Sequence, residues 1–103
     1  MNQIILVGRV IAKPSIRETS SGNKVGHLLL EVTRPYKNAE GDYENEVFDV
    51  TLWKSLAEEA EKRIEENMSV GIKGRLAANN YLKENEVYYR SDVVAEKITF
   101  YNS

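Results

Sequence analysis

A small, mainly β barrel of five strands, with a single helix between the third and fourth, is the fold class this sequence predicts, and three observations carry the prediction. Apolar residues recur with period two over about residues 3 to 12, 25 to 33 and 46 to 53, switch to a four-residue spacing at Leu56, Ala60 and Ile64, and return to period two from Met68. Turn-forming residues separate these runs. The 103 residues fit one domain, 1–103, with room for one small core and none for a separate catalytic domain.

The first strand alternates Ile4, Leu6, Gly8 and Val10 on one face with Gln3, Ile5, Val7 and Arg9 on the other, and Pro14 interrupts it. Ser20-Ser21-Gly22-Asn23 forms a turn into the second strand, Val25 to Thr33, with Gly26, Leu28, Leu30 and Val32 inward and Val25, His27, Leu29 and Glu31 outward. Pro35 ends that strand, and the polar stretch Lys37 to Asp42 leads to the third. There Phe48, Val50 and Leu52 share the apolar face, opposite Asp49, Thr51 and Trp53. Ser55 and Glu58 fit a capping box, Glu58, Glu59 and Glu61 suit the positive end of the helix, and Asn67 is its expected stop. In the fourth strand Val70, Ile72, Gly74 and Leu76 point inward, with Gly71, Lys73, Arg75, Ala77, Asn79 and Tyr81 outward. Lys83-Glu84-Asn85 makes a short hairpin turn, and the fifth strand runs over about 86 to 101.

Three strands, a helix and two strands is the order of the OB-fold, an all-β Greek-key barrel apart from its helix. An SH3-like barrel has no comparable helix at that point, and a ferredoxin-like fold needs a second one.

Composition narrows the function classes. With 42% hydrophobic and 29% charged residues the chain is ordinary for a globular protein, and no apolar run approaches the ~20 residues a spanning helix requires. Neither a membrane association nor a secretion signal is expected, and the absence of cysteine excludes disulfides and thiolate metal sites and fits a cytoplasmic protein. The formal charge of −2 argues against a uniformly basic nucleic-acid binder. Residues 56 to 67 alone carry five glutamates against Lys62 and Arg63, however, which leaves the remaining chain at +1 and open to a locally basic groove.

No catalytic constellation stands out. His27, the single histidine, lies on the outer face of a strand as a surface or interface residue, the paired glutamates sit on a solvated helix, and there is no phosphate loop, zinc spacing or GxSxG elbow. An enzyme is therefore not expected, nor a metal or cofactor. A different chemistry starts at Trp53. A large flat ring on the polar face of a strand, followed at once by Lys54, suits stacking of a nucleic-acid base beside its phosphate, the alternative being a ring that covers a barrel end or a subunit contact.

The chain also resembles a family, the bacterial single-stranded DNA-binding proteins of the SSB type. The resemblance spans nearly the whole sequence: Asn2 to Val10, Pro14 with Ile16-Arg17, Gly22 before Val25, Tyr36-Lys37-Asn38 followed by Gly41, Thr51-Leu52-Trp53 with Leu56-Ala57-Glu58, and Val70 to Leu76. It implies an OB-fold subunit of a homo-oligomer, a tetramer with a dimer as the alternative, that wraps single-stranded DNA without sequence preference in replication, recombination or repair. The family's stacking platforms fall on Tyr36, Trp53 and Tyr81. Arg9, Arg17, Arg34, Lys37, Lys54, Lys73, Arg75 and Arg90 are the cations available for phosphates, each equally suited to being a solvated surface charge.

The chain departs from the family pattern in several places. Val47-Phe48 stands where an aromatic followed by a smaller or polar residue is usual, so one platform is missing, and Asp49 adds an acid to the proposed face. Ala77-Ala78-Asn79-Asn80 is neutral where relatives often carry basic residues, and weaker DNA affinity is the expected consequence. A natural end at Ser103 would also make this a short form without the family's acidic tail and its recruitment of partner proteins. That feature keeps a second reading open, a primosomal-type adaptor for replication restart, although the retention of Tyr36, Trp53 and Tyr81 together favours wrapping of DNA.

Overall fold

Stretches that are apolar on one side only can hide that side by curling into a closed ring, and five of the strands here do so. The computed structural model describes residues 1–101, in the order β1 (Ile4–Val10), β2 (Ser15–Glu18), β3 (Lys24–Lys37), β4 (Tyr43–Trp53), α1 (Ser55–Arg63), β5 (Ser69–Ala78), β6 (Tyr81–Lys83), β7 (Glu86–Tyr88) and β8 (Ser91–Tyr101). Hydrogen-bonded neighbours run β1, β5, β8, β4, β3, and β3 returns to β1 to close the barrel, while β2 adds to the outside of β3. Every pairing is antiparallel except β4 with β8, which run parallel at Val50↔Val93 and Thr51↔Val94. With α1 placed between the third and fourth barrel strands, this is the OB-fold expected.

Inside the ring lie Val10, Leu28, Leu30, Val50, Leu52, Val70, Ile72, Ala95 and Ile98, and Ala57, Ala60 and Ile64 of the helix pack against them. Each large aliphatic side chain withdrawn from water in this way contributes about 1.5 to 3 kcal/mol. The helix therefore acts as a plug whose buried stripe matches the spacing of Ala60 and Ile64, with Leu56 partly buried beside them.

Several local expectations give way. Val25, expected outward, is only 2% exposed, because β3 is here the middle of three strands and Val25 pairs with Arg17 on one side and Trp53 on the other. Pro35 does not end the strand. β3 continues to Lys37, and a register shift between Thr33 and Lys37 accommodates the missing N–H donor. The capping box does not form: Ser55 already lies in the first turn, Lys54 is the N-cap, and no side chain caps the helix. Asn67 is not the stop either, since the helix ends at Arg63 with Ile64 extended, and Asn67 instead takes a left-handed turn at φ 73° before β5. Leu76, expected inward, is 44% exposed, because β1 pairs β5 only as far as Ile4↔Gly74, and beyond that point the Asn2 side-chain amide bonds the Leu76 N–H and carbonyl in place of a strand.

The single fifth strand expected over 86 to 101 is broken at Tyr89 and Arg90. β6 and β7 leave the barrel as a two-stranded arm, with Tyr81↔Tyr88, Leu82↔Val87 and Lys83↔Glu86 in register. Its turn residues Glu84 and Asn85 have φ of 52° and 66°, the positive pair that a two-residue hairpin turn of matching twist demands.

Candidate nucleic-acid interface

The three aromatic residues singled out in the sequence are all on the surface, on three different parts of the fold. Tyr36 is 58% exposed, near the end of the long β3–β4 hairpin. The hairpin closes through Asn38, whose side-chain oxygen accepts the N–H groups of Glu40 at 3.0 Å and Asp42 at 2.9 Å. The Arg34 guanidinium lies 5.7 Å from the centre of the Tyr36 ring, and the Lys37 amine 5.7 Å from that of Tyr43. Trp53 ends β4, 43% exposed, in the same cross-strand row as Arg17 of β2. Tyr81 begins the β6–β7 arm, its ring stacked on that of Tyr88 with centroids 5.2 Å apart and planes 13° from parallel, and Arg90 lies 5.7 Å from the Tyr81 centroid.

Lys54 shows what the strand-to-helix junction demands. Its N–H donates to the Lys24 carbonyl at 2.8 Å, and its own carbonyl accepts the Glu58 N–H at 3.0 Å. To make both bonds the residue takes φ 53° and ψ −119°, a conformation that glycine adopts freely and a side chain resists by about 1 to 3 kcal/mol. The strained turn holds an exposed ammonium directly after Trp53.

The cations divide into two sets. Arg9 is held by Glu31 at 3.2 Å and also donates to Asn67, while Arg34 is clamped between Glu44 and Glu46. The hydrogen bond to Glu46 raises the Arg34 pKa above its ordinary value, with Tyr36 and Glu44 adding to the effect. These two charges are already compensated. Arg17, Lys37, Lys54, Lys73, Arg75 and Arg90 have no ion-pair partner among the described residues. Lys73 lies instead in a separate shallow groove with Ile5, Val7, Gly71, Lys97 and Tyr101, which none of Tyr36, Trp53 and Tyr81 lines. The line from Lys73 and Arg75 to Tyr81 read from alternation is bent at Asn79-Asn80, where the arm begins and the Asn79 N–H donates to the Arg90 carbonyl at 2.8 Å.

A groove of about 510 Å³ runs along the β4–β8 seam, with Val47, Asp49 and Thr51 on one wall and Asn79, Arg90 and Asp92 on the other. Phe48, half-buried against the core as expected, forms part of its floor. The groove is not basic. Asp49 lines it and is hydrogen-bonded to His27, Nδ1 to Oδ1 at 2.9 Å. Sequence reasoning passed over Tyr43 and Tyr88. Tyr88 was legible in principle, since counting back from the Glu84-Asn85 turn puts it opposite Tyr81; Tyr43 was not, because Pro35 concealed the length of the hairpin.

Three exposed aromatic stations, each with a cation beside it and none enclosed, suit an extended polymer of flat rings and phosphates better than a compact ligand. Comparison with known proteins agrees. The chain is 37% identical over 100 residues to single-stranded DNA-binding protein B of Bacillus subtilis (strain 168), covering 96% of this chain and 88% of that one. It is 37% identical over 101 residues to single-stranded DNA-binding protein 1 of Staphylococcus aureus (strain MSSA476), and 32% identical over 104 residues to single-stranded DNA-binding protein 3 of Listeria innocua, spanning 65% of the length of each. The profile of the single-strand binding protein family matches residues 1–101, and the chain belongs to that family.

Proposed function

We propose that the chain holds single-stranded DNA, the ligand of its family, along a path from the β3–β4 hairpin past Trp53 to the β6–β7 arm, stacking bases on Tyr36, Trp53 and Tyr81 and neutralising phosphates with Arg17, Lys37, Lys54, Arg75 and Arg90. The single observation that carries this reading is the Trp53-Lys54 junction, where a strained backbone sets an exposed indole and an ammonium side by side. The role is binding rather than catalysis. It covers and protects strands opened in replication, recombination or repair, in the cytoplasm, and among the described residues no helix is long and apolar enough to cross a membrane.

The chain acts as a homo-oligomer, a tetramer in preference to a dimer. In support, β1 pairs with β3 only at Arg9 and Val10, so Ile4–Gly8 presents one backbone edge without a strand among the described residues, and Ile5 and Val7 beside it are 69% and 53% exposed.

Titration of the intrinsic fluorescence with oligo(dT) tests the path, because Trp53 is the only indole. Strong quenching is expected, together with a loss of about 1 to 3 kcal/mol of affinity in a folded Trp53→Ala variant. Undiminished binding by that variant would take the strand off Trp53.

A further inference from the structure

We propose that the groove on the β4–β8 seam is a base-reading subsite, which favours a nucleobase bearing N–H donors on its pairing edge, guanine foremost, over thymine. It rests on the strand path proposed above. The parallel register Val50↔Val93 and Thr51↔Val94 sets the preceding residues, Asp49 and Asp92, side by side on the outer face, and both line the groove. One carboxylate oxygen of Asp49 is occupied by His27 at 2.9 Å, which leaves the other free. Asp92 has no hydrogen-bond or ion-pair partner among the described residues, although its surroundings half-bury it. Asn79 and Arg90 stand on the same wall as donors.

A base entering this groove finds Phe48 half-buried in the floor, His27 held by Asp49, and Val47, 51% exposed, at the rim. Above that floor its edge meets the two carboxylates. Carboxylates accept hydrogen bonds and donate none while ionised, so a base that withdraws them from water has to supply N–H groups in return. Guanine offers the parallel pair N1–H and N2–H₂, which matches the two oxygens of a carboxylate, while its O6 can accept from Arg90 or Asn79. Cytosine and adenine each bring one exocyclic amino group. Thymine brings a lone N3–H flanked by two carbonyl oxygens, which face the carboxylates with like partial charge. Asp49 and Asp92 repel phosphate, which is left to Arg90, so the base side of the strand faces the two carboxylates. The volume of about 510 Å³ lies within the range of small-ligand pockets.

The test is competition, at one fixed salt concentration, between a fluorescein-labelled oligo(dT) and unlabelled dT oligomers of equal length carrying at their centre thymine, guanine or hypoxanthine. Hypoxanthine keeps N1–H and lacks the 2-amino group. The guanine oligomer is expected to compete about tenfold better than all-thymine, in line with one edge-on contact, with hypoxanthine between them. In the double variant Asp49→Asn with Asp92→Asn, affinity for all-thymine should rise as negative charge is removed, and the ratio should collapse towards one. Equal competition by the three oligomers with wild-type protein overturns the subsite and leaves the strand path standing; so does a ratio that the double variant preserves. Failure of every oligomer to compete overturns both.

Discussion

Lys54 is the residue at which folding and the proposed binding role pull against each other. Its backbone sits at φ 53° and ψ −119°, where glycine would relieve about 1 to 3 kcal/mol of strain and give back part of that, up to about 1 kcal/mol, in chain entropy. Lys54→Gly is therefore expected to stabilise the domain by about 1 kcal/mol in chemical denaturation. The same change removes the ammonium beside Trp53, so affinity for oligo(dT) should fall and the slope of log affinity against log salt should shrink by about 0.7. A variant that is both more stable and binds unchanged would show that the side chain is only tolerated there. The strain itself was invisible in the sequence, which offered Ser55 and Glu58 as a conventional cap; only the bond from the Lys54 N–H to Lys24 shows why the chain must turn one residue earlier. Trp53, by contrast, was legible, since alternation alone put it on the polar face.

At the scale of elements, the β6–β7 arm depends on pairs that straddle its turn. Tyr88 stacks on Tyr81 with a 5.2 Å centroid separation, and such a contact is worth about 0.5 to 1.5 kcal/mol. Tyr88→Ala should therefore weaken DNA binding by loosening Tyr81, the proposed platform, while the barrel's melting temperature changes little, because the arm is a sheet of its own. A large drop in melting temperature would mean that the arm folds as part of the barrel.

The helix is tied differently. Lys24, at the start of β3, meets Glu61 of α1 at 3.0 Å, and that hydrogen bond and charge hold the Lys24 pKa above its ordinary 10.5. Since the folded value is the higher one, the contribution to stability is complete below 10.5 and disappears as pH rises through the raised folded value. Glu61→Gln should thus lower the melting temperature slightly at neutral pH and have no effect through this pair in strong alkali, as melts in a pH series would show. The strands and the helix were legible as a pattern of periods. Their ends were not, because Pro35 at a register shift and Asn67 beyond the helix are read as stops by composition while pairing partners decide the true limits.

At the scale of the whole molecule, closure of the barrel and the proposed association of copies draw on the same strand. Closure requires close backbone approach: a Cβ on Gly8 would stand 2.1 Å from the Glu31 carbonyl oxygen, and one on Gly74 2.1 Å from that of Val94. The sequence showed both glycines on the inward face but could not show that each sits where two strands converge. On the opposite side of β1, Ile5 and Val7 are open to solvent, and across β5 the Tyr101 ring of β8, 45% exposed, lies over Gly71. Three apolar groups on one sheet face next to an unpaired edge make an unstable arrangement for a lone subunit in water. A second copy laid against this surface would cover the side chains and supply backbone partners to Ile4–Gly8. Val7→Glu places a charge at its centre, where burial without a partner is prohibitive. Sedimentation equilibrium should find the wild-type chain above its single-chain mass at micromolar concentration and the variant at that mass, with far-ultraviolet spectra superimposable. Short oligo(dT), which spans one subunit, should still quench Trp53 in the variant, whereas long oligo(dT) should lose the gain in affinity that linked sites confer. A wild-type chain that sediments as a monomer would leave the exposed face without this purpose.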